Sequence, residues 1–271
     1  MWEKFSSFAR ERPIACAFLL TALFFALVSA GGLPLMANPN MGQRIGIPVF
    51  SMYQTAIAAF GIFLMKKAQV FDSSDFALKN TGKGLMLGWV DFLLMAVVIA
   101  TGIQNRSAYF IKPEPLFLLA VILFPLSTGF LEEAVFRGLV LKVLLRQFGG
   151  TKKGIIQSFI ISAALFAIVH SIHAVWQNPL DVASDVLFAA AGGMFLGAIY
   201  MRTKTLIAPI LLHWLHNLSA TIFIAFTSSE YQAPEAGLDD VLTLIALGVL
   251  PLVAAAFVLL RKAEPDWALA K

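Results

Sequence analysis

The sequence predicts an all-α fold: a polytopic transmembrane helical bundle of about eight spans with both termini cytoplasmic. Three observations predict it. Of the 271 residues, 59% are hydrophobic and 13% charged, with a mean hydropathy of +0.81. A soluble domain carries about 25% charged residues, so this much apolar surface needs lipid as part of its solvent. Second, the apolar residues gather into eight runs, at 13–35, 46–65, 84–104, 115–146, 154–175, 183–201, 204–227 and 240–260. Most are near the ~20 residues that cross a hydrocarbon core as a helix. Third, the basic residues alternate between loops as the positive-inside rule requires.

The runs are read as helices because an open backbone in lipid leaves amide groups unpaired. The first follows Arg10 and Arg12, but no small-x-small cleavage site follows it, so it is expected to be a retained span. Its Cys16 is the only cysteine, which rules out an intrachain disulfide. The fourth run would extend about 48 Å as a straight helix against a core of about 30 Å. Pro125 and Gly129 are expected to kink it, and its basic end to emerge along the cytoplasmic surface before Gly149 and Gly150 stop it. In the sixth run Ala189, Gly193 and Gly197 form a small-residue stripe suited to close helix packing. The chain 1–271 reads as a single membrane domain, with 115–220 as the helix core that carries its polar motifs.

Loop charges set the orientation. With the N-terminus inside, the cytoplasmic segments hold Lys4, Arg10, Arg12, Lys66, Lys67, Lys79, Lys83, Lys142, Arg146, Lys152, Lys153, Arg202, Lys204, Arg261, Lys262 and Lys271. The outer loops hold Arg44, Arg106 and Lys112, and the acidic loop 228–240 also falls outside. This pattern demands an even number of spans. The net charge of +4 suggests no nucleic-acid partner.

Ionisable groups inside spans are costly and need a reason. The fourth run holds Glu132, Glu133 and Arg137; the fifth holds His170 and His173; the seventh holds His213 and His216, with Asn217 beside them. All four histidines of the protein fall in these two pairs. Glu133 and Arg137 are four apart with the acid first, the favoured order for a helical ion pair. Glu132 points about 100° away around the helix and is expected to be left free as a general base. Phe166 and His170 share a face, which lets Phe166 wall a site and His170 bond Glu132 or a water. His213 and Asn217 also project together, as two donors to a developing oxyanion. His216 is expected to support the site from behind, and His173 to lie nearer the outer surface. Asp91, Asp181 and Asp185 are left without an assigned role, although Asp91 is placed to line a cavity or to bond a neighbouring helix. The competing account of these groups is a purely structural set of interhelical hydrogen bonds.

Glu132-Glu133-Ala134-Val135-Phe136-Arg137 reads as EExxxR, Phe166 to His170 as FxxxH, and His213 to Asn217 as HxxxN. In this order on successive apolar helices they resemble the CPBP family. That family comprises the type II CAAX prenyl endopeptidases and prokaryotic proteins associated with bacteriocin processing or self-immunity. The resemblance covers about residues 115–220. It implies an intramembrane endopeptidase in which Glu132 and His170 activate a water, His213 and Asn217 hold the oxyanion, and Glu133 and Arg137 support them. No cofactor is favoured. Zinc is the alternative, held by Glu132, His170 and His213 with a water, but the chain has no HExxH, in which ligands and base share one helix. The implied partners are the bilayer and a peptide or membrane-anchored protein, prenylated in the family's best-known substrates. The expected location is the plasma membrane of a prokaryote. Two other classes compete: a non-enzymatic immunity or scaffold protein, and a proton-coupled transporter, for which no repeat is evident.

Overall fold

The computed structural model describes residues 1–37, 42–175, 177–228, 230–232 and 237–261. The described residues are helical, with one isolated antiparallel bridge between Phe110 and Thr227. Lys262, Lys271 and Glu235 of the charge pattern lie outside the described residues.

The helices are α1 (Trp2–Glu11), α2 (Pro13–Ala37), α3 (Gly42–Lys67), α4 (Thr81–Leu87), α5 (Trp89–Arg106), α6 (Pro115–Glu133), α7 (Lys142–Phe148), α8 (Lys152–Val169), α9 (Pro179–Thr203), α10 (Ile207–Thr221), α11 (Phe223–Phe226), α12 (Leu238–Leu244) and α13 (Leu250–Arg261). Seven stretches are long and apolar enough to cross a membrane, and the pair α4–α5, bent by 62°, makes an eighth if counted as one span. Eight is the even number that the loop charges require. Large apolar side chains such as Phe18, Leu93, Leu116, Leu247 and Val258 stand exposed on these helices. In water such a surface would be a liability; in a multi-pass membrane protein it is the lipid face.

Five local features depart from the sequence reading. The third run breaks at Gly88 instead of running straight. A Cβ on Gly84 would overlap the Cβ of Ala208, and one on Gly88 would lie 2.6 Å from Leu212 Cδ2. Both glycines therefore seat α4 and the start of α5 directly on α10. The fourth run stays helical through Pro125, then widens into a π-helical stretch at Ala134–Leu141 before α7. Such stretches often mark functional sites, and this one begins immediately after Glu133. The end of the run does not lie along a surface: Lys142 through Leu145 are buried. The fifth run leaves α geometry at His170 and continues as a 3-10 turn to Val175. A short amphipathic helix, α1, precedes the first span.

The small-residue stripe of α9 behaves as expected. A Cβ on Gly193 would meet Phe166 at 3.0 Å, and one on Gly197 would meet Phe159 at 3.1 Å. Bare backbone on α9 thus lets the aromatic rings of α8 settle against it. Helix ends are capped by side chains: Asn178 accepts from the N–H groups of Leu180 and Asp181, and Glu114 from those of Leu116 and Phe117. Each satisfies donors that a helix start leaves open.

A polar staple holds the turn between α9 and α10. Asp75 is buried in the segment after α3, where Lys142 donates to its Oδ2 at 2.7 Å and Tyr200 to its Oδ1 at 2.9 Å. Its carbonyl accepts from Leu206 N–H at 2.6 Å. Asn80 donates to the Thr203 carbonyl at 3.1 Å, and Thr205 to that of Ala77 at 2.8 Å. The buried Lys142 is tolerated because Asp75 neutralises it. Nearby, the Ser74 N–H holds the Asp72 carboxyl below the usual range. The staple fixes where α10 begins, and α10 carries His213.

Candidate active site

A cavity of about 630 Å³ opens between α6, α8, α9 and α10, and its walls include Glu132, His170, His213 and Asn217. Phe166 and His216 line it too, so six of the eight residues singled out from the sequence reach one space. Much of the remaining wall is aromatic, including Phe24, Phe50, Phe124, Phe136 and Phe188. Glu133 and Arg137 stand behind that wall, with side chains 0% and 2% exposed.

The cluster is built from the π-helical stretch outward. Arg137 Nη1 donates to Glu133 Oε1 at 2.8 Å, and Nη2 donates to the Gly193 carbonyl at 3.1 Å. The guanidinium lies over the Phe166 ring, 4.5 Å from its centroid. The same Glu133 oxygen accepts from His213 Nδ1 at 2.9 Å. The other nitrogen of His213, Nε2, lies 3.4 Å from Glu132 Oε2. That gap is long for a strong hydrogen bond, and Glu132 Oε2 is buried without a closer partner. One imidazole therefore bridges the two adjacent carboxylates, one on each nitrogen. Glu132 is 21% exposed at its side chain, against none for Glu133, and it is the carboxylate that faces the cavity.

His170, expected to bond Glu132 or a water, has its Nδ1 held elsewhere, which leaves Nε2 for either partner. The 3-10 turn that starts at His170 brings its Nδ1 back to the Phe166 carbonyl at 2.9 Å. A carbonyl only accepts, so Nδ1 carries the hydrogen and Nε2 holds the lone pair. Phe166 packs edge-on against His170, 4.8 Å between centroids, and more distantly against His213 at 6.1 Å. The FxxxH pair thus braces both histidines, with Phe166 as the common wall.

Several residues without an assigned role prove to belong to the cavity. Asp91 at the start of α5 accepts from His216 Nδ1 at 2.7 Å, and His173 Nδ1 lies 2.6 Å from Asp185 Oδ2. All four of these side chains line the cavity, so His173, at the end of its run, belongs to the same space. Gln54 of α3 also lines it and accepts from Ser127 at 2.8 Å and Thr128 at 3.2 Å. Its only sequence signal is being an amide within an apolar run.

The zinc alternative turns on which nitrogens the donor set leaves open. Among the described residues, no three His, Cys, Asp or Glu side chains are gathered as a metal-binding group. The two ring nitrogens of His213 face the two glutamates, and Nδ1 of His170 faces a backbone carbonyl. Each histidine therefore has only Nε2 to offer a metal, and Glu132, His170 and His213 are not gathered into one three-ligand group among the described residues.

Residues 114–219 match the family model described as type II CAAX prenyl endopeptidase Rce1-like. Over this stretch the chain is similar to the Rce1-like family. The match runs from the N-cap of α6 into α10, and so contains all three motifs and every residue of the glutamate–histidine cluster. No curated protein and no solved structure matches the chain. The Rce1-like stretch ties this multi-pass membrane protein to a family of proteases that act on a peptide or protein substrate in a membrane.

Proposed function

We propose that this protein is an intramembrane endopeptidase that hydrolyses a peptide bond with a water activated by Glu132 and needs no metal. The observation that supports this most is the approach of Glu132 Oε2 to His213 Nε2 on the wall of a cavity that His170 and Asn217 also line. Glu132 is the cavity-facing carboxylate and has an oxygen with no close partner, as a base requires. His170 offers its Nε2 lone pair to the same space and would hold the second hydrogen of the water. As Glu132 takes one proton, the water oxygen adds to the carbonyl carbon. The negative charge that develops on the carbonyl oxygen is met by His213 Nε2–H and the Asn217 amide. Glu133 and Arg137 orient His213 through the Nδ1 bond, the role a buried carboxylate plays in holding an imidazole for catalysis.

The aromatic wall suits an apolar substrate segment, and the Rce1-like match favours a peptide ending in a prenylated CAAX-type sequence. The family resemblance is likewise the support for a prokaryotic plasma membrane as its location. The test is cleavage by the full chain in lipid vesicles of two quenched fluorescent peptides ending in a CAAX-type sequence, one farnesylated and one not. Cleavage of the farnesylated peptide in preference to its counterpart is the expected result. Failure of folded protein to cut either peptide would overturn the assignment.

A further inference from the structure

Peptide hydrolysis has a second half that the Glu132 cluster does not obviously serve. An amide nitrogen must gain a proton before it departs, and the histidines of the cavity differ in their fitness to give one. His170 donates Nδ1–H to a neutral carbonyl, which suits an imidazole acting as acceptor. His213 has Nδ1 bonded to Glu133 and directs Nε2 past Glu132 toward the oxyanion, so it already serves the first half. His216 stands apart: its Nδ1 is held by the Asp91 carboxylate at 2.7 Å, and its ring stacks on Phe188 at 4.9 Å. A carboxylate bonded to Nδ1 fixes the ring orientation and leaves Nε2 as the atom that exchanges a proton with a substrate. With Nδ1 spent on Asp91, Nε2 is the nitrogen His216 presents to the cavity.

Placement supports the same role. His216 sits three residues beyond His213 on α10, about 4.5 Å along the axis, and both line the cavity. Asp91 is 4% exposed and lies one turn past the 62° bend at Gly88. Gly84 and Gly88 seat this bent helix on Ala208 and Leu212, and Asp91 meets His216 next along the same seam. The other histidine–aspartate pair, His173 with Asp185, is more open, at 30% and 37% side-chain exposure.

We propose that His216 is a further catalytic residue, the general acid that protonates the departing amine, and that Asp91 is its positioning residue. The inference rests on the glutamate-water reading above. Glu132 takes one proton of water as the water oxygen bonds to the carbonyl carbon. His216 gives its Nε2 proton to the amide nitrogen as the C–N bond breaks, leaving an acid and an amine. The proton on Glu132 then returns to His216, so the net reaction is water plus amide.

The experiment compares two substrates of the same acyl sequence in vesicles, a peptide amide and a p-nitrophenyl ester, whose phenolate leaves without a proton. Full-length His216→Gln is expected to lose about 100-fold in kcat on the amide, with KM within about twofold, and to keep near-normal ester cleavage. Asp91→Asn, which still accepts from Nδ1 but lacks the charge, is expected to show a smaller loss on the amide alone. Glu132→Gln is the control and should lose both activities. If His216→Gln loses both substrates equally, or neither, while Glu132→Gln is inactive, the acid role is overturned and the glutamate reading stands. If Glu132→Gln cleaves both normally, the glutamate reading falls, and this inference with it.

Discussion

Replacing Arg137 by Met tests whether the buried cluster is held by charge. The substitution keeps the length of the side chain and removes the cation from a site where it is 2% exposed. Three contacts go with it: the 2.8 Å bond to Glu133, the 3.1 Å bond to the Gly193 carbonyl and the face of Phe166 at 4.5 Å. Glu133, fully buried and with Oε2 already lacking a partner, keeps only His213. Breaking a buried pair from one side costs about 3–5 kcal/mol. An ordinary interhelical hydrogen bond in a bilayer is worth about 0.6 kcal/mol, so the two accounts differ by a factor of about five or more. Removing both charges, as in Glu133→Gln with Arg137→Met, leaves no stranded ion and is expected to cost about 2 kcal/mol less than the single change. Steric-trap unfolding in bicelles, run as a double-mutant cycle, reads both values. A cost below about 1 kcal/mol for Arg137→Met, or simple additivity in the cycle, would refute the argument.

Three other outcomes follow from the same structure. Asp75→Asn strands the buried Lys142 and should cost about 3 kcal/mol, recovered in part by adding Lys142→Met; thermal unfolding in detergent checks it. Gly84→Ala drives a Cβ into Ala208 and should cost about 1–3 kcal/mol and lower kcat by moving α10. Gly82→Ala, where a Cβ meets nothing within 4 Å, should be silent in the same stability and rate measurements. Exhaustive chelation should leave kcat unchanged, and a loss restored by added Zn²⁺ would contradict the proposed metal-free mechanism.

The sequence carries some of these features openly and hides others for physical reasons. The spans are legible because a hydrocarbon core demands long apolar runs. The Glu133–Arg137 pair is legible because both residues lie on one helix, where spacing alone decides contact. The bridge from His213 to both glutamates is not, since a helical wheel gives direction but not the neighbour found there. The Asp91–His216 pair joins residues 125 apart and depends on a bend at Gly88 that hydropathy cannot register. The Nδ1 bond of His170 to the Phe166 carbonyl is hidden as well, because it comes where the chain leaves α geometry for a 3-10 turn. Lys142 has the spacing of an end-of-span surface lysine because its partner, Asp75, lies 67 residues earlier in a connecting segment.

The claim that Glu132 activates the water is tested most directly by single-turnover cleavage with Glu132→Gln. The amide keeps the shape of the side chain and its place beside His213 but cannot take a proton. The account predicts a loss of at least about 100-fold in the chemical step, with the unfolding midpoint and substrate affinity unchanged. Cleavage at the wild-type rate would contradict it.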